Sequence, residues 1–143
     1  MSSNLHETTG YQIRTVSLLL INKINQNFLK AGFDITAEQL KMLVVLWNED
    51  NRTQNELGES VGKFKTSVTK LVDGLEKRHL IQRVPHPTDR RSNLIQLTAM
   101  GKNIEKQLTP IVKKTLDEAH KNIPQEHLII FQEVLQQIEK NLT

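Results

Sequence analysis

The stretch GKFKTSVTKLVDGLEKRHLIQRVPHPTDRRSNLIQLTAMG, residues 62–101, decides the fold. Its first third carries apolar residues at the spacing of one buried helix face: Val68, Leu71, Val72 and Leu75. The opposite face of this predicted helix is short, polar and partly basic, and consists of Thr66, Ser67, Thr69, Lys70, Asp73 and Lys77. Such a face suits the major groove of DNA, because small polar side chains allow close approach and donors contact base edges.

A basic hairpin is predicted to follow this helix. We expect strands over residues 78–84 and 93–97. Residues 85–92 contain two prolines and an aspartate, which favour a loop over a continued strand. Thr98 is the expected N-cap of the next helix. A helix, a hairpin with a basic tip and a second helix form the outline of a winged helix-turn-helix.

The motifs of this region resemble those of the MarR family of bacterial transcription regulators. The run Pro87-Thr88-Asp89-Arg90-Arg91, followed by Leu97-Thr98-x-x-Gly101, is similar to that family's wing signature. Thr53-Gln54-x-Glu56-Leu57 and the TKLVDxLE run at 69–76 also resemble its helix-turn-helix. The resemblance covers the whole chain in element order and length, and residues 52–101 at the level of motifs.

The resemblance implies a single, mainly α domain over residues 1–143, α+β only through its small wing. A winged helix-turn-helix lobe would span about 34–100, and helices over about 9–31 and 102–143 would form a dimerisation region. The implied function is sequence-specific binding of double-stranded DNA by a homodimeric, ligand-responsive repressor. Its operator would be a pseudo-palindrome with half-sites about one helical turn apart.

The resemblance also assigns roles in the wing. It implies that Arg91 enters the minor groove, that Asp89 orients this arginine, and that Arg90 contacts a phosphate or reads the groove. A guanidinium suits a narrow, electronegative minor groove because it is less strongly hydrated than an ammonium. The alternative is a surface ion pair without function.

On the predicted recognition helix, Thr66, Ser67 and Lys70 are the candidates for contacts to base edges. Lys65 and Thr69 are expected on phosphates. Gln54 and Asn55 open the preceding helix, where they would contact the DNA backbone beside free N–H groups. For each of these residues the alternative is an ordinary exposed side chain.

Two positions depart from the family's pattern. Phe64 stands where the family usually has a serine-type N-cap, and His79 stands where it usually has glycine at a helix end. Histidine tolerates a positive φ better than most residues, so the turn at His79 is expected to survive. Either change would affect the angle of the recognition helix rather than the fold.

The distribution of charge favours a nucleic-acid partner. The formal net charge is only +3, but eight basic and three acidic residues lie between Gly62 and Arg91. The positive charge is therefore concentrated on the predicted DNA-binding region, as neutralisation of phosphates requires. The alternative is a solvated charged face.

Several classes of protein are disfavoured. The chain has no cysteine, which removes disulfides and thiolate sites, and its histidines (His6, His79, His86, His120 and His127) lack the spacing of metal ligands. No motif pairs a nucleophile with a base, so we predict no enzyme, no cofactor and no metal. The N-terminus lacks a secretory signal and no apolar run could span a membrane, so a cytoplasmic protein is expected.

The flanking helices predict a homodimer. A helix over about 11–30 is apolar around much of its circumference, and one from Thr98 to about 122 should kink at Pro110. Pro124 begins the last helix, whose narrow seam resembles half of a helix–helix interface. The seam consists of Leu128, Phe131, Leu135, Ile138 and Leu142. The alternative is that this helix folds back on its own domain.

The resemblance further implies a small aromatic or phenolic effector between the dimerisation helices and the DNA-binding lobe. Ile13, Val16, Leu43 and Trp47 would lie near that junction, although each is also explained as ordinary core. Two other functions stay open, a helical protein-interaction module and a small-molecule-binding protein or enzyme without DNA binding. A salt-dependent mobility shift separates both from a DNA-binding regulator.

Overall fold

The computed structural model describes residues 4–62 and 65–143, with the side chains of Lys65 and Thr66 left outside that description. The expectation for Phe64, and those for the side chains of Lys65 and Thr66, therefore lie outside the described residues. After a 3-10 turn at Leu5–Glu7, the chain forms α1 (Thr9–Lys30), α2 (Ala37–Asn48), β1 (Arg52–Thr53), α3 (Gln54–Val61), α4 (Lys65–Lys77), β2 (Ile81–Pro85), β3 (Asn93–Leu97), α5 (Ala99–Asn103), α6 (Glu105–Ala119) and α7 (Gln125–Leu142).

The helix boundaries follow their local signals. The pattern Thr36-x-x-Gln39 predicts a capping box at α2. The structure confirms it, with the Gln39 N–H donating to Thr36 Oγ1 at 3.2 Å and the Thr36 N–H donating to Gln39 Oε1 at 3.1 Å. Thr98 caps α5 by accepting the Gly101 N–H at 3.0 Å. His79 adopts φ 60°, which confirms that it takes the left-handed turn at the end of α4.

Three boundaries differ from the prediction. Strand β1 was not expected, because two residues show no periodicity; it pairs with β3 in an antiparallel sheet of order β1-β3-β2. Strand β2 begins only at Ile81 and includes Pro85. The helix expected from Thr98 to about 122 is interrupted at Ile104, whose carbonyl accepts the Gln107 N–H three residues on in a tighter turn.

The pattern Thr53-x-x-Glu56 predicts a second capping box, at α3, which is only half formed. Thr53 Oγ1 accepts the Glu56 N–H at 3.2 Å, as expected. The Glu56 carboxylate, however, accepts the Thr53 hydroxyl at 3.0 Å rather than the Thr53 N–H. Thr53 belongs to β1, where it lies opposite Leu94.

The core lies inside the lobe formed by α2, α3, α4 and the sheet. Its fully buried side chains include Met42, Leu43, Leu46, Leu57, Val72, Leu75 and Ile95. Phe28 of α1 and Leu108 of α6 join this core, so the two flanking helices are anchored to the lobe. Between them, Asn27 Nδ2 donates to Thr115 Oγ1 at 2.8 Å, which satisfies the otherwise buried polar atoms.

The outer faces of α1 and α7 are apolar and uncovered. The half-exposed or exposed members on α1 include Ile13, Val16, Leu18 and Leu19, and those on α7 include Ile129, Ile130, Phe131, Val134 and Leu142. Helix α7 makes no extended contact with another described element of the same chain. Apolar surface of this extent is typical of a protein interface. In the described part of the chain, no helix is long and apolar enough to cross a membrane.

We predict that Gly101→Ala lowers the free energy of unfolding by about 2 kcal/mol, because a Cβ there would overlap the Leu80 carbonyl oxygen. That carbonyl is fixed by the Thr98 N–H at 3.0 Å, and the Gly101 carbonyl accepts Trp47 Nε1 at 2.8 Å, so neither side can easily move. Urea unfolding measures the change. The control is Gly10→Ala in α1, where nothing lies within 4 Å, and equal stability of the two variants would contradict the prediction.

Candidate nucleic-acid interface

Helix α4 presents the predicted polar face outward. Val68, Val72 and Leu75 are buried, which confirms the apolar stripe, and Leu71 is half-buried. On the other side Ser67 and Lys70 are exposed. The packing of the stripe therefore turns the side chains of Ser67 and Lys70 toward solvent.

Helix α3 is tied to α4 by a side-chain hydrogen bond. Gln54 Nε2 donates to Thr69 Oγ1 at 2.8 Å, and both residues are half-buried. These two predicted phosphate contacts are thus engaged with each other, which fixes the angle between the two helices. Asn55, the other residue predicted on the DNA backbone, is exposed.

The wing tip is a hydrogen-bonded turn built around Asp89. Its carboxylate accepts the Arg91 backbone N–H at 2.9 Å and the Ser92 hydroxyl at 3.1 Å. The Arg91 N–H, and after it the Ser92 hydroxyl, lowers the pKa of the Asp89 carboxyl below its ordinary value. Asp89 therefore contacts the main chain of Arg91, and within the described residues its carboxylate has no contact with the Arg91 guanidinium; the orienting role stays a prediction.

His86 completes this turn, and sequence reasoning missed it by considering the residue only as a metal ligand. Its Nδ1 accepts the Thr88 N–H at 3.1 Å and the Asp89 N–H at 3.0 Å. A local signal was available, because the acceptor on the His86 side chain precedes the N–H groups of Thr88 and Asp89 by two and three residues, the spacing found in Asx turns.

The arginines of the lobe divide into two groups. Arg90 and Arg91 are exposed, and within residues 4–62 and 65–143 neither forms an ion pair. Arg52, Arg78 and Arg83 instead pair with carboxylates at 2.7, 3.0 and 2.6 Å, respectively. Arg78 and Arg83, counted by sequence within the basic region, therefore add little net charge to the surface.

Arg83 has two carboxylate partners. Its guanidinium lies 2.6 Å from Asp73 Oδ1 and 2.6 Å from Glu76 Oε1, both on α4. Partial burial alone lowers the pKa of Arg83, but the hydrogen bond to Asp73 and the charges of both carboxylates outweigh it, so the pKa is raised. Asp73, predicted on the exposed face of the recognition helix, is thus held by the strand that leads into the wing.

The residues predicted for an effector pocket are dispersed. Leu43 is fully buried in the lobe core, as the alternative of ordinary core describes. Trp47 is half-buried with its ring N–H on the Gly101 carbonyl. Ile13 and Val16 remain exposed on α1. Of the predicted dimer seam, Leu128, Leu135 and Ile138 are half-buried, whereas Phe131 and Leu142 are exposed.

Comparison with known proteins identifies the family. The MarR family model matches residues 35–92. The HTH-type transcriptional regulator SarZ of Staphylococcus aureus (strain MRSA252) is 32% identical over 103 residues, which cover 72% of this chain and 69% of SarZ. The apo structure of MarR from Escherichia coli aligns with a TM-score of 0.79 at 25% identity, over 92% of this chain and 96% of that one.

A third match is CouR of Rhodococcus jostii RHA1, solved as a transcriptional repressor bound to a 23-mer DNA duplex. That structure aligns with a TM-score of 0.85 at 22% identity over 97% of each chain, a likeness of fold. Together the fold and these matches define a winged helix-turn-helix protein. The chain belongs to the MarR family of DNA-binding transcription regulators. Its named relatives are regulators and not enzymes.

We predict that Asp89 titrates below the ordinary pKa of an aspartate. Because its pKa is depressed in the fold, its hydrogen bonds stabilise the wing above the pKa of the unfolded carboxyl, and this contribution is lost as the pH falls through the folded value. Carboxyl ¹³C shifts measured by NMR give the midpoint, and Ser92→Ala should raise it. A midpoint at or above the ordinary value would contradict the hydrogen-bonded turn.

Proposed function

We propose that the protein is a homodimeric repressor that binds a pseudo-palindromic operator through α4 and the wing. The observation that carries this proposal is the pair of exposed arginines, Arg90 and Arg91, on a turn that is fixed by hydrogen bonds and belongs to the same lobe as the polar face of α4. Cations without a carboxylate partner on a fixed turn are suited to phosphates and to the minor groove. Acting on DNA, the protein works in the cytoplasm.

In this proposal α4 enters the major groove. Ser67 and Lys70 contact base edges together with Thr66, while Lys65 and Thr69 contact phosphates. Asn55 and Gln54 lie beside the DNA backbone, and the bond from Gln54 to Thr69 supports α4 as well. Arg91 occupies the minor groove, with Asp89 holding its main chain and Arg90 on a neighbouring phosphate.

The dimer is proposed to form where α1 and α7 leave apolar side chains uncovered. The chain then divides into dimerisation helices over about 9–31 and 102–143 and a DNA-binding lobe over about 34–100. Two lobes related by a two-fold axis would address half-sites about one helical turn apart.

Regulation is proposed to come from a small aromatic or phenolic compound. CouR has been solved with p-coumaroyl-CoA as well as with DNA, and PcaV of Streptomyces coelicolor with its natural ligand. In this chain the candidate residues are Ile13 and Val16, which are exposed on α1, and Trp47 and Leu43 of α2, which are half-buried and buried. A ligand that prefers one separation of the two lobes would shift the affinity for DNA.

We predict that Arg91→Ala weakens binding to DNA from upstream of the protein's own gene by about tenfold or more at moderate salt. The melting temperature should not change, because Arg91 is exposed and its side chain supports no other described residue. Mobility shifts and thermal unfolding measure the two quantities.

The control is Lys41→Ala, which removes an exposed cation of α2 that belongs neither to the proposed DNA contacts nor to the proposed dimer interface. It should leave the affinity for DNA unchanged. Equal affinity of wild type and Arg91→Ala would remove the wing from the mechanism, and failure of the wild type to bind would remove the whole proposal.

We predict that the protein scatters light as a dimer at micromolar concentration and that Phe131→Asp dissociates it, because a carboxylate would be buried in the apolar contact between helices. The control is Gln136→Asp, which places the same charge on α7 away from the predicted seam. A monomeric wild type, or equal behaviour of the two variants, would contradict the proposed interface.

A further inference from the structure

One arginine connects the wing to the recognition helix. Arg83 lies in the middle of β2, opposite Ile95 of β3, on the strand that leads to the wing tip. Its Nη2 is 2.6 Å from Asp73 Oδ1, its Nη1 is 2.6 Å from Glu76 Oε1, and its backbone N–H donates to Glu76 Oε2 at 3.3 Å. Three polar contacts therefore join β2 to α4.

The sequence spacing makes this connection rigid. Asp73 and Glu76 are three residues apart and share one face of α4. The N–H donors of a guanidinium lie in fixed directions in one plane, so two anchored carboxylates define its orientation. The contact of the Arg83 main chain with Glu76 adds a constraint that does not depend on the side chain. Neither strand nor helix can rotate against the other without breaking at least one of these contacts.

We propose that Arg83 is a positioning residue that sets the angle between α4 and the wing, so that both reach one DNA duplex together. The proposal rests on the function proposed above. It assigns Arg83 no contact with DNA and makes Asp73 and Glu76, two acidic residues of the recognition helix, contributors to DNA affinity.

The positioning role and simple charge repulsion predict opposite changes in DNA affinity when one of these carboxylates is removed. A carboxylate near DNA repels the phosphates, so its removal ordinarily tightens binding. If Asp73 acts through Arg83, its removal instead frees the strand that carries the wing and weakens binding. The sign of the change therefore separates positioning from simple electrostatics.

The first test is Asp73→Ala, measured by fluorescence anisotropy on the same upstream DNA. Alanine favours the helix, and Asp73 is largely exposed, so the variant should fold. We expect about fivefold weaker binding. The control Glu59→Ala removes an exposed carboxylate from α3, where it has no ion pair within the described part of the chain, and should bind equally or more tightly. Unchanged or tighter binding by Asp73→Ala would overturn the proposal.

The second test combines Arg83→Gln with Arg91→Ala. If Arg83 acts by placing the wing, its replacement should weaken binding by about fivefold alone but by less than about twofold once Arg91 is absent. Independent losses of DNA affinity, which multiply in the double variant, would overturn the proposal. A direct contact of Arg83 with a phosphate would overturn it too, and would show as a decrease of about 0.9, in the Arg83→Gln variant alone, in the steepness with which the logarithm of the affinity falls with the logarithm of the salt concentration. Failure of the function itself is distinguishable, because wild type would then not bind the DNA.

Discussion

The structure depends on the burial of one face of α4. Val68, Val72 and Leu75 pack into the core among α2, α3 and β2, and this contact determines which side chains of the helix face solvent. The same core holds Ile95 of β3, so the sheet that carries the wing is fixed to the same set of apolar contacts. Helix α4 and the wing, the two surfaces proposed to contact DNA, therefore belong to one rigid lobe.

The arginines of the lobe fall into two groups that differ in whether they pair with carboxylates. Arg52, Arg78 and Arg83 are paired with carboxylates and connect elements within the lobe. Arg90 and Arg91 project from a tip whose hydrogen bonds are made by the main chain, Asp89 and His86, and within the described residues their guanidiniums form no ion pair. A count of positive residues does not reveal this division, because Asp89 is closer in sequence to Arg90 and Arg91 than Asp34 is to Arg78 or Glu76 to Arg83.

Much of the architecture was predictable because its signals are local. The stripe of α4, the capping box at Thr36 and the turn at His79 each require only neighbouring residues, and the structure confirms them. The bond from Gln54 to Thr69, the pairing of Arg83 with Asp73, and the role of His86 were missed, because they depend on how elements pack or on which ring nitrogen faces the main chain. Strand β1 is too short to have a pattern.

Two copies of this lobe are proposed to bind one DNA duplex, with α4 in the major groove and the wing in the minor groove. Hydroxyl-radical footprinting on the DNA upstream of the gene tests it most directly. The account predicts two protected minor-groove segments related by a two-fold axis, with protection that is lost as salt rises. Protection without that symmetry, or none at low ionic strength, would contradict it.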